Sequence, residues 1–77
     1  MKRAMPKTQV KSEISGKVWK IEAQVGDRVS ADDTLLILES MKMEIPVLAP
    51  CTGVVSEIRV SESEAVSEGQ LVAVIDS

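Results

Sequence analysis

Short apolar runs alternate with turn residues along almost the whole chain. From Gln9 onward, no stretch keeps apolar residues at the i, i+3, i+4 spacing of a helix. Instead, Gly, Asp, Ser and Pro separate five runs of strand length, at residues 18–21, 35–38, 45–48, 54–60 and 71–75. The pattern therefore predicts an all-β domain over residues 9–77. Residues 1–8 have no period and predict a flexible N-terminal tail.

The two halves of the chain repeat each other in outline. Four landmark residues, Gly16, Val18, Ile21 and Val29, recur 37 positions later as Gly53, Val55, Ile58 and Val66. Leu35 then aligns with Leu71 at an offset of 36, which predicts one extra residue in the first half, within residues 31–34. Two copies are too few for a solenoid, so the repeat predicts a pseudo-symmetric pair of sheets.

The spacing inside each half predicts a bulge. Val18 and Ile21 stand two and five positions after Gly16, and a flat strand would place residues three apart on opposite faces. Because the same odd step recurs in the second half, we expect a shared bulge that turns the strand around a sheet corner.

The composition and charge of the chain indicate which classes of partner are disfavoured. The chain has 77 residues, of which 44% are apolar, and Trp19 is the only aromatic residue. Residues 1–20 hold six basic residues and one acid, whereas residues 21–77 hold three basic residues and eleven acids. An acidic body with one aromatic residue does not favour a nucleic-acid partner. No apolar run has the length of a membrane span or the form of a signal peptide, so we expect a cytoplasmic protein without a membrane partner.

The chain offers little material for catalysis or metal binding. It has no His, and Cys51 is the only cysteine, which we expect to be a small buried or half-buried apolar residue. We find no Gly-rich phosphate loop and no nucleophile beside a base. Asp32 and Asp33 are interpreted as turn residues rather than metal ligands. The sequence therefore predicts no catalytic residue, no metal site and no enzyme activity.

Lys42 lies between the two halves, in the polar segment Glu39-Ser40-Met41-Lys42-Met43-Glu44. Extended apolar runs flank this segment, which predicts a hairpin with Lys42 at or next to its tip. In an extended strand Met41 and Met43 would share one face, but in a tight turn all three side chains could face water. A primary amine at such a turn is suited to carry a covalently attached group.

This segment and its surroundings resemble the biotinyl/lipoyl attachment domain family, in which Met-Lys-Met marks the modified lysine. The resemblance includes Gly16-Lys17-Val18 and Gly26-Asp27-Arg28-Val29 before the motif and residues 49–55 after it. It implies a flattened β-barrel sandwich of two four-stranded antiparallel sheets with pseudo-two-fold symmetry. It also implies that a biotin protein ligase joins biotin to the amine of Lys42. The biotin would then carry carboxylate between the biotin carboxylase and carboxyltransferase subunits of a biotin-dependent carboxylase.

The residues around the lysine bear on which group is attached and what recognises it. Family members that carry lipoate typically have Asp before the lysine and a small residue after it, so Met41 and Met43 form the biotin pattern. Lipoate on Lys42, alone or as a second acceptor activity, is the alternative. Met41 and Met43 are candidate recognition residues, and Glu39, Ser40 and Glu44 are candidate ligase contacts or ordinary solvated residues. An unmodified structural module with the same fold is a further rival.

A few other positions carry expectations. Ser40 stands where many biotin carriers have Ala, and Ser63 matches Gly26 in the repeat. If that turn needs a positive φ, Ser63 costs some stability. Pro46 and Pro50 predict an edge or irregular strand where they fall. Trp19 is interpreted as a packing anchor or a subunit contact.

Overall fold

The computed structural model describes residues 7–77, and all regular structure in this range is β-strand. The eight strands are β1 Lys7–Lys11, β2 Gly16–Ile21, β3 Arg28–Val29, β4 Thr34–Ser40, β5 Met43–Leu48, β6 Gly53–Ile58, β7 Ala65–Val66 and β8 Leu71–Asp76. β1 begins at Lys7, two residues before the predicted start of the domain. The rest of the predicted tail, residues 1–6, lies outside the described residues. Within residues 7–77 we find no helix that could cross a membrane.

The strands form two four-stranded antiparallel sheets, which confirms the predicted fold. Sheet A has the order β1-β8-β6-β3, and sheet B has the order β5-β4-β2-β7. Exchanging β1 with β5, β2 with β6, β3 with β7 and β4 with β8 converts one order into the other, so the pseudo-two-fold symmetry is confirmed. Each sheet contains strands from both halves of the chain. Neither half can therefore complete its own sheet.

The core between the sheets is aliphatic. Its members come from both halves and are Val10, Val18, Ala23, Val29, Leu35, Leu36, Leu38, Ala49, Val55, Val60, Val66, Val72, Ala73 and Ile75. Valine predominates because a β-branched side chain fits the pleated inner face of a sheet. The half-buried Cys51 packs against this cluster, as predicted, whereas Trp19 lies on the surface.

Strand pairing keeps the offset of 37 along the whole chain. The pair Val18–Leu38 in sheet B is equivalent to Val55–Ile75 in sheet A. The pair Ile21–Leu36 is likewise equivalent to Ile58–Ala73. The predicted change to 36, with an extra residue in the first half, is therefore wrong. Leu35 matches Val72, and both are fully buried, whereas Leu71 matches the half-buried Thr34. The alignment of Leu35 with Leu71 followed residue type, but register is set by hydrogen bonding between strands.

The predicted bulge is present in both halves. The register shifts between Val18 and Lys20 in β2 and between Val55 and Glu57 in β6. Trp19 and its counterpart Ser56 are the inserted residues, each opposite a strand with one residue fewer. Because the bulge turns the strand, Val18 and Ile21 both contact the core although they are three positions apart.

The hairpin between β4 and β5 and the ends of the described chain lie at opposite ends of the sandwich. β8 begins next to Ser12, whose N–H donates to the carbonyl of Gln70, and β2 starts at the same end beside Ser40. β8 finishes at Asp76, which pairs with Lys7 at the start of β1. One strand length therefore separates the turn of the hairpin from residues 7 and 76.

Equivalent turns in the two halves use different residues at the same backbone position. Gly26 has φ 97° and its counterpart Ser63 has φ 74°, so the condition under which Ser63 costs stability is met. A side chain is strained in this region, whereas glycine is not. A Cβ added at Gly26 would meet nothing within 4 Å, so the cost there comes from the backbone alone.

We expect Ser63→Gly to stabilise the domain by about 1 kcal/mol, which raises Tm by about 4–8 °C in a chain of this size. The matched control is Gly26→Ser, which places the same side chain in the equivalent turn and should lower Tm by a similar amount. Thermal unfolding followed by circular dichroism measures both. Equal Tm values for Ser63→Gly and the unchanged protein would show that this backbone position is not strained.

Candidate functional site

A two-residue turn joins β4 to β5. The last pair of the hairpin is Ser40 with Met43, which leaves Met41 and Lys42 as the whole loop. Met41 has φ 52° and Lys42 has φ 64°. Positive φ at both central residues defines a type I′ turn, whose twist matches that of the two strands it joins. The prediction of a hairpin with Lys42 at its tip is confirmed, while the attachment of a group there stays a prediction.

The residues of this turn are not those that stabilise it best. Type I′ turns favour Asn followed by Gly, because these residues tolerate the left-handed region. Met41 and Lys42 both carry a Cβ that is crowded there, at about 1–2 kcal/mol for each residue. Strain of this kind persists where function selects the side chains.

Replacing the turn by Met41→Asn with Lys42→Gly is expected to stabilise the domain by about 1–2 kcal/mol. The gain comes from relief of backbone strain, and the exposed primary amine of residue 42 is lost at the same time. Urea unfolding measures the free energy of unfolding of both proteins. Met43→Asn, just outside the turn in extended backbone, is the control and should give no gain. A double variant no more stable than the unchanged protein would refute the strain.

Gly16, the first residue of β2, packs against the end of β4 at the base of the hairpin. A Cβ at this position would lie 2.8 Å from the carbonyl oxygen of Glu39 and 3.4 Å from the Cβ of Ser40. Only glycine therefore lets β2 approach β4 this closely. The spacing of the repeat marks Gly16 as a landmark but does not by itself predict this close approach. Its match with Gly53, which lies even closer to the end of β8, was the available signal.

The side chains of the turn are held in solvent. Met41 is 91% exposed, Met43 is 62% exposed, and Lys42 is exposed as well. Across residues 7–77 the ion pairs are Lys7–Asp76, Lys20–Glu22 and Arg59–Glu57, and Lys42 belongs to none of them. The amine is therefore accessible to another protein, on a backbone that the hairpin fixes.

Two glutamates flank the turn as a like-charged pair. Glu39 and Glu44 lie directly opposite each other on β4 and β5, and both are exposed. Like charges in this arrangement destabilise a sheet, and neither carboxylate forms an ion pair within the described part of the chain. The structure thus brings Glu39, Ser40, Met43 and Glu44 together with the turn. Their predicted roles in recognition stay predictions.

Polar side chains in two other turns have structural roles. Asp33 accepts a hydrogen bond from the Ser30 N–H at 2.8 Å, as Gln70 does from Ser67 at 3.0 Å in the other half. The interpretation of Asp32 and Asp33 as turn residues is confirmed. Residues 7–77 contain no group of three His, Cys, Asp or Glu residues that could hold a metal ion. Lys42 is therefore the chemical feature on which the site depends.

Comparison with known proteins places this geometry in a family. A family model described as "Biotin-requiring enzyme" matches residues 2–75. The biotinylated protein TB7.3 homolog of Mycobacterium leprae is 46% identical over 66 residues, which are 86% of this chain and 93% of that protein. The biotin/lipoyl attachment protein of Bacillus subtilis is 39% identical over 62 residues, which are 80% of this chain and 85% of that protein.

A solved structure shows the same fold inside a much larger enzyme. Urea carboxylase of Kluyveromyces lactis superposes with a TM-score of 0.88 at 39% identity, over 97% of this chain but only 7% of that one. The chain thus corresponds to one small domain of that enzyme and to nearly the full length of the two bacterial relatives. With its two interlocked halves and its lysine at the central turn, the chain belongs to the biotin/lipoyl attachment family.

Proposed function

We propose that this protein is a biotin carrier and that biotin is joined to the ε-amine of Lys42. The observation that carries the proposal is an exposed amine, outside every ion pair of residues 7–77, at the tip of a two-residue turn. Relatives of nearly the same length that are named as biotinylated or biotin/lipoyl attachment proteins support it. The residues present fit the group, because amide formation needs one accessible amine and no pocket on the acceptor.

The reaction at Lys42 is an acyl transfer performed by a biotin protein ligase. The nitrogen of the free amine attacks the carbonyl carbon of biotinyl-adenylate, AMP leaves, and a base takes the proton from the nitrogen. The new amide removes one positive charge, so the formal net charge changes from −3 to −4. This chain positions the amine, and the ligase activates the acyl group of biotin. Because acyl-adenylate formation consumes ATP, we place the reaction in the cytoplasm.

Biotin, when bound, accepts carboxylate at one active site and releases it at another. Lys42 contributes the flexible stem that carries the group between sites, and the rigid hairpin fixes the point from which the stem swings. Tethering raises the effective concentration of the group at both sites. We propose a biotin carboxylase and a carboxyltransferase as partners, since urea carboxylase contains the same fold. The carrier itself contributes no catalytic residue.

The residues around Lys42 are proposed to be recognised by the ligase. Met41 and Met43 offer flexible apolar side chains that adapt to a binding surface. Glu39 and Glu44 offer carboxylates whose mutual repulsion a cationic partner would relieve. Ser40 keeps the position before Met41 small, so that the turn stays accessible.

Lipoate is the second candidate group, and the name of the Bacillus subtilis relative favours keeping it.

Incubation of the purified chain with biotin, ATP and a biotin protein ligase, followed by intact-mass measurement, tests the proposal. We expect a mass increase of one biotinyl group, located at Lys42 by peptide mapping. The parallel reaction with lipoate and a lipoate ligase should leave the mass unchanged. Modification by lipoate alone would replace biotin in the proposal.

A further inference from the structure

The outer faces of the two sheets occupy equivalent positions but differ in chemistry. On sheet B, Ile37 pairs with Pro46 on one side and with the exposed Lys20, next to the bulged residue Trp19, on the other. Leu36 and Leu38 are fully buried, so Ile37 points outward. We call the outward residues Trp19, Ile37, Pro46 and Leu48 the Trp19 face. Their counterparts on sheet A, 37 positions away, are Ser56, Val74, Gln9 and Lys11.

Sheet A shows that the fold does not need an apolar surface at this position. Ser56, the counterpart of Trp19, donates a hydrogen bond from its Oγ to the carbonyl of Val74 at 3.2 Å. Val74 itself is buried beneath polar neighbours. Trp19, the one aromatic residue of the chain, is instead 49% exposed. A half-exposed Trp gives up part of the transfer free energy that full burial would provide.

The Trp19 face is continuous with the attachment hairpin. Moving along sheet B toward the turn, the next outward residues are Glu44, Glu39 and Lys17, and Met41 and Lys42 follow. Ile37 is thus three residues from the end of β4, about 10 Å at the rise of a strand. A specific interface covers about 800 Å² on each partner, and a hairpin tip of a few residues is too small to provide this. An enzyme that binds Lys42 must extend onto a neighbouring surface.

The charges around the face indicate what that enzyme presents. Glu39 and Glu44 lie between the Trp19 face and the turn, and no cation within residues 7–77 forms an ion pair with them. Lys17 is the cross-strand neighbour of Glu39, so a partner that covers this region must match carboxylates and an amine beside an apolar pocket for Trp19. Tryptophan set in such a pocket is a frequent centre of binding energy.

We propose that the Trp19 face is the surface on which the enzyme that acylates Lys42 docks. This inference rests on the proposed function, because it takes Lys42 as the acceptor. The face contributes to binding and has no part in the chemical step. Its loss should therefore raise KM for the carrier and leave kcat unchanged.

The repeat itself supplies the variants that test the proposal. Trp19→Ser and Pro46→Gln install the residues that sheet A has at the equivalent positions. Steady-state rates are measured with the full chain, biotin, ATP and a biotin protein ligase that modifies the unchanged protein. We expect Trp19→Ser to raise KM by about tenfold, and Pro46→Gln by less, with kcat within about twofold in both. The control is Val54→Ser, which removes an exposed apolar residue from the outer face of sheet A and should change neither constant.

Each other outcome decides against a defined part of the proposal. If the unchanged protein is not modified at all, the proposed function fails. If it is modified but Trp19→Ser behaves like Val54→Ser, only the docking face fails. Light scattering of the unchanged chain tests occupation by a second copy, since a dimer that Trp19→Ser dissociates would overturn the assignment to the ligase. Equal final yields of modified protein, with unchanged circular dichroism, show that the variants are folded.

Discussion

Lys42→Arg is expected to abolish biotinylation completely. A guanidinium keeps the positive charge and the long stem of lysine, but it stays protonated and does not attack an acyl-adenylate. Because residue 42 is exposed and forms no ion pair within the described chain, the substitution leaves the hairpin intact. Intact-mass measurement after incubation with ligase, ATP and biotin should give the unmodified mass for the variant and one added group for the unchanged protein.

The remaining lysines provide the control for Lys42→Arg. They are Lys2, Lys7, Lys11, Lys17 and Lys20. Lys17 is the most demanding comparison, because it is exposed and lies opposite Glu39 on the neighbouring strand, at the base of the same hairpin. Lys17→Arg should be biotinylated to completion. Persistent modification of the Lys42→Arg chain would show that the acceptor lies elsewhere and would remove the basis of the proposed function.

Replacement of Gly16 or Gly53, the first residues of β2 and β6, by alanine is expected to have the largest effect on stability. A Cβ at Gly53 would collide with the backbone carbonyl oxygen of Asp76 and lie 2.8 Å from the Cγ2 of Ile75. Backbone cannot move aside as a flexible side chain does, so we expect a loss of about 3 kcal/mol, the upper part of the usual cost of overpacking. Gly16→Ala, with its Cβ 2.8 Å from the Glu39 carbonyl oxygen, should cost about 2 kcal/mol.

The two glycine variants also separate stability from function. Gly16 lies at the base of the β4–β5 hairpin, whereas Gly53 lies at the opposite end of the sandwich. Urea unfolding gives the stability of each variant, and ligase kinetics are measured where each is folded. We expect Gly16→Ala to slow biotinylation and Gly53→Ala to leave it unchanged. Equal ligase rates for the two would mean that the packing of β2 against β4 does not position the turn.

The features that could be predicted from the sequence depend on local pattern. The strand class, the central hairpin and the bulge all follow from the spacing of apolar residues and glycines. The edge position of Pro46 also follows, because proline lacks the N–H that an interior strand needs, and β5 is indeed an edge strand. The match with Gly26 marks Ser63 as a residue that would be strained by a positive φ, and Ser63 has φ 74°.

The features that were missed depend on contacts between strands. Register in the second half was wrong because the matching leucines, Leu35 and Leu71, outweighed a pairing that only the folded sheet reveals. The role of Gly16 at the hairpin could not be predicted, because a sequence does not distinguish a glycine needed for close packing from one needed for a positive φ. Trp19 could be assigned to the surface only once the bulge and its facing residue Ile37 were known.

The separation of Lys42 from residues 7 and 76 makes the whole domain a rigid spacer. A polypeptide joined to either end of this fold attaches one strand length from the amine, about 20 Å for the six or seven residues of β4 and β8. Such an addition leaves the Lys42 amine uncovered, and it would extend the reach of the group that we propose is attached there. This placement is compatible with both settings in which similar sequences occur, as nearly all of a small bacterial relative and as 7% of the urea carboxylase chain.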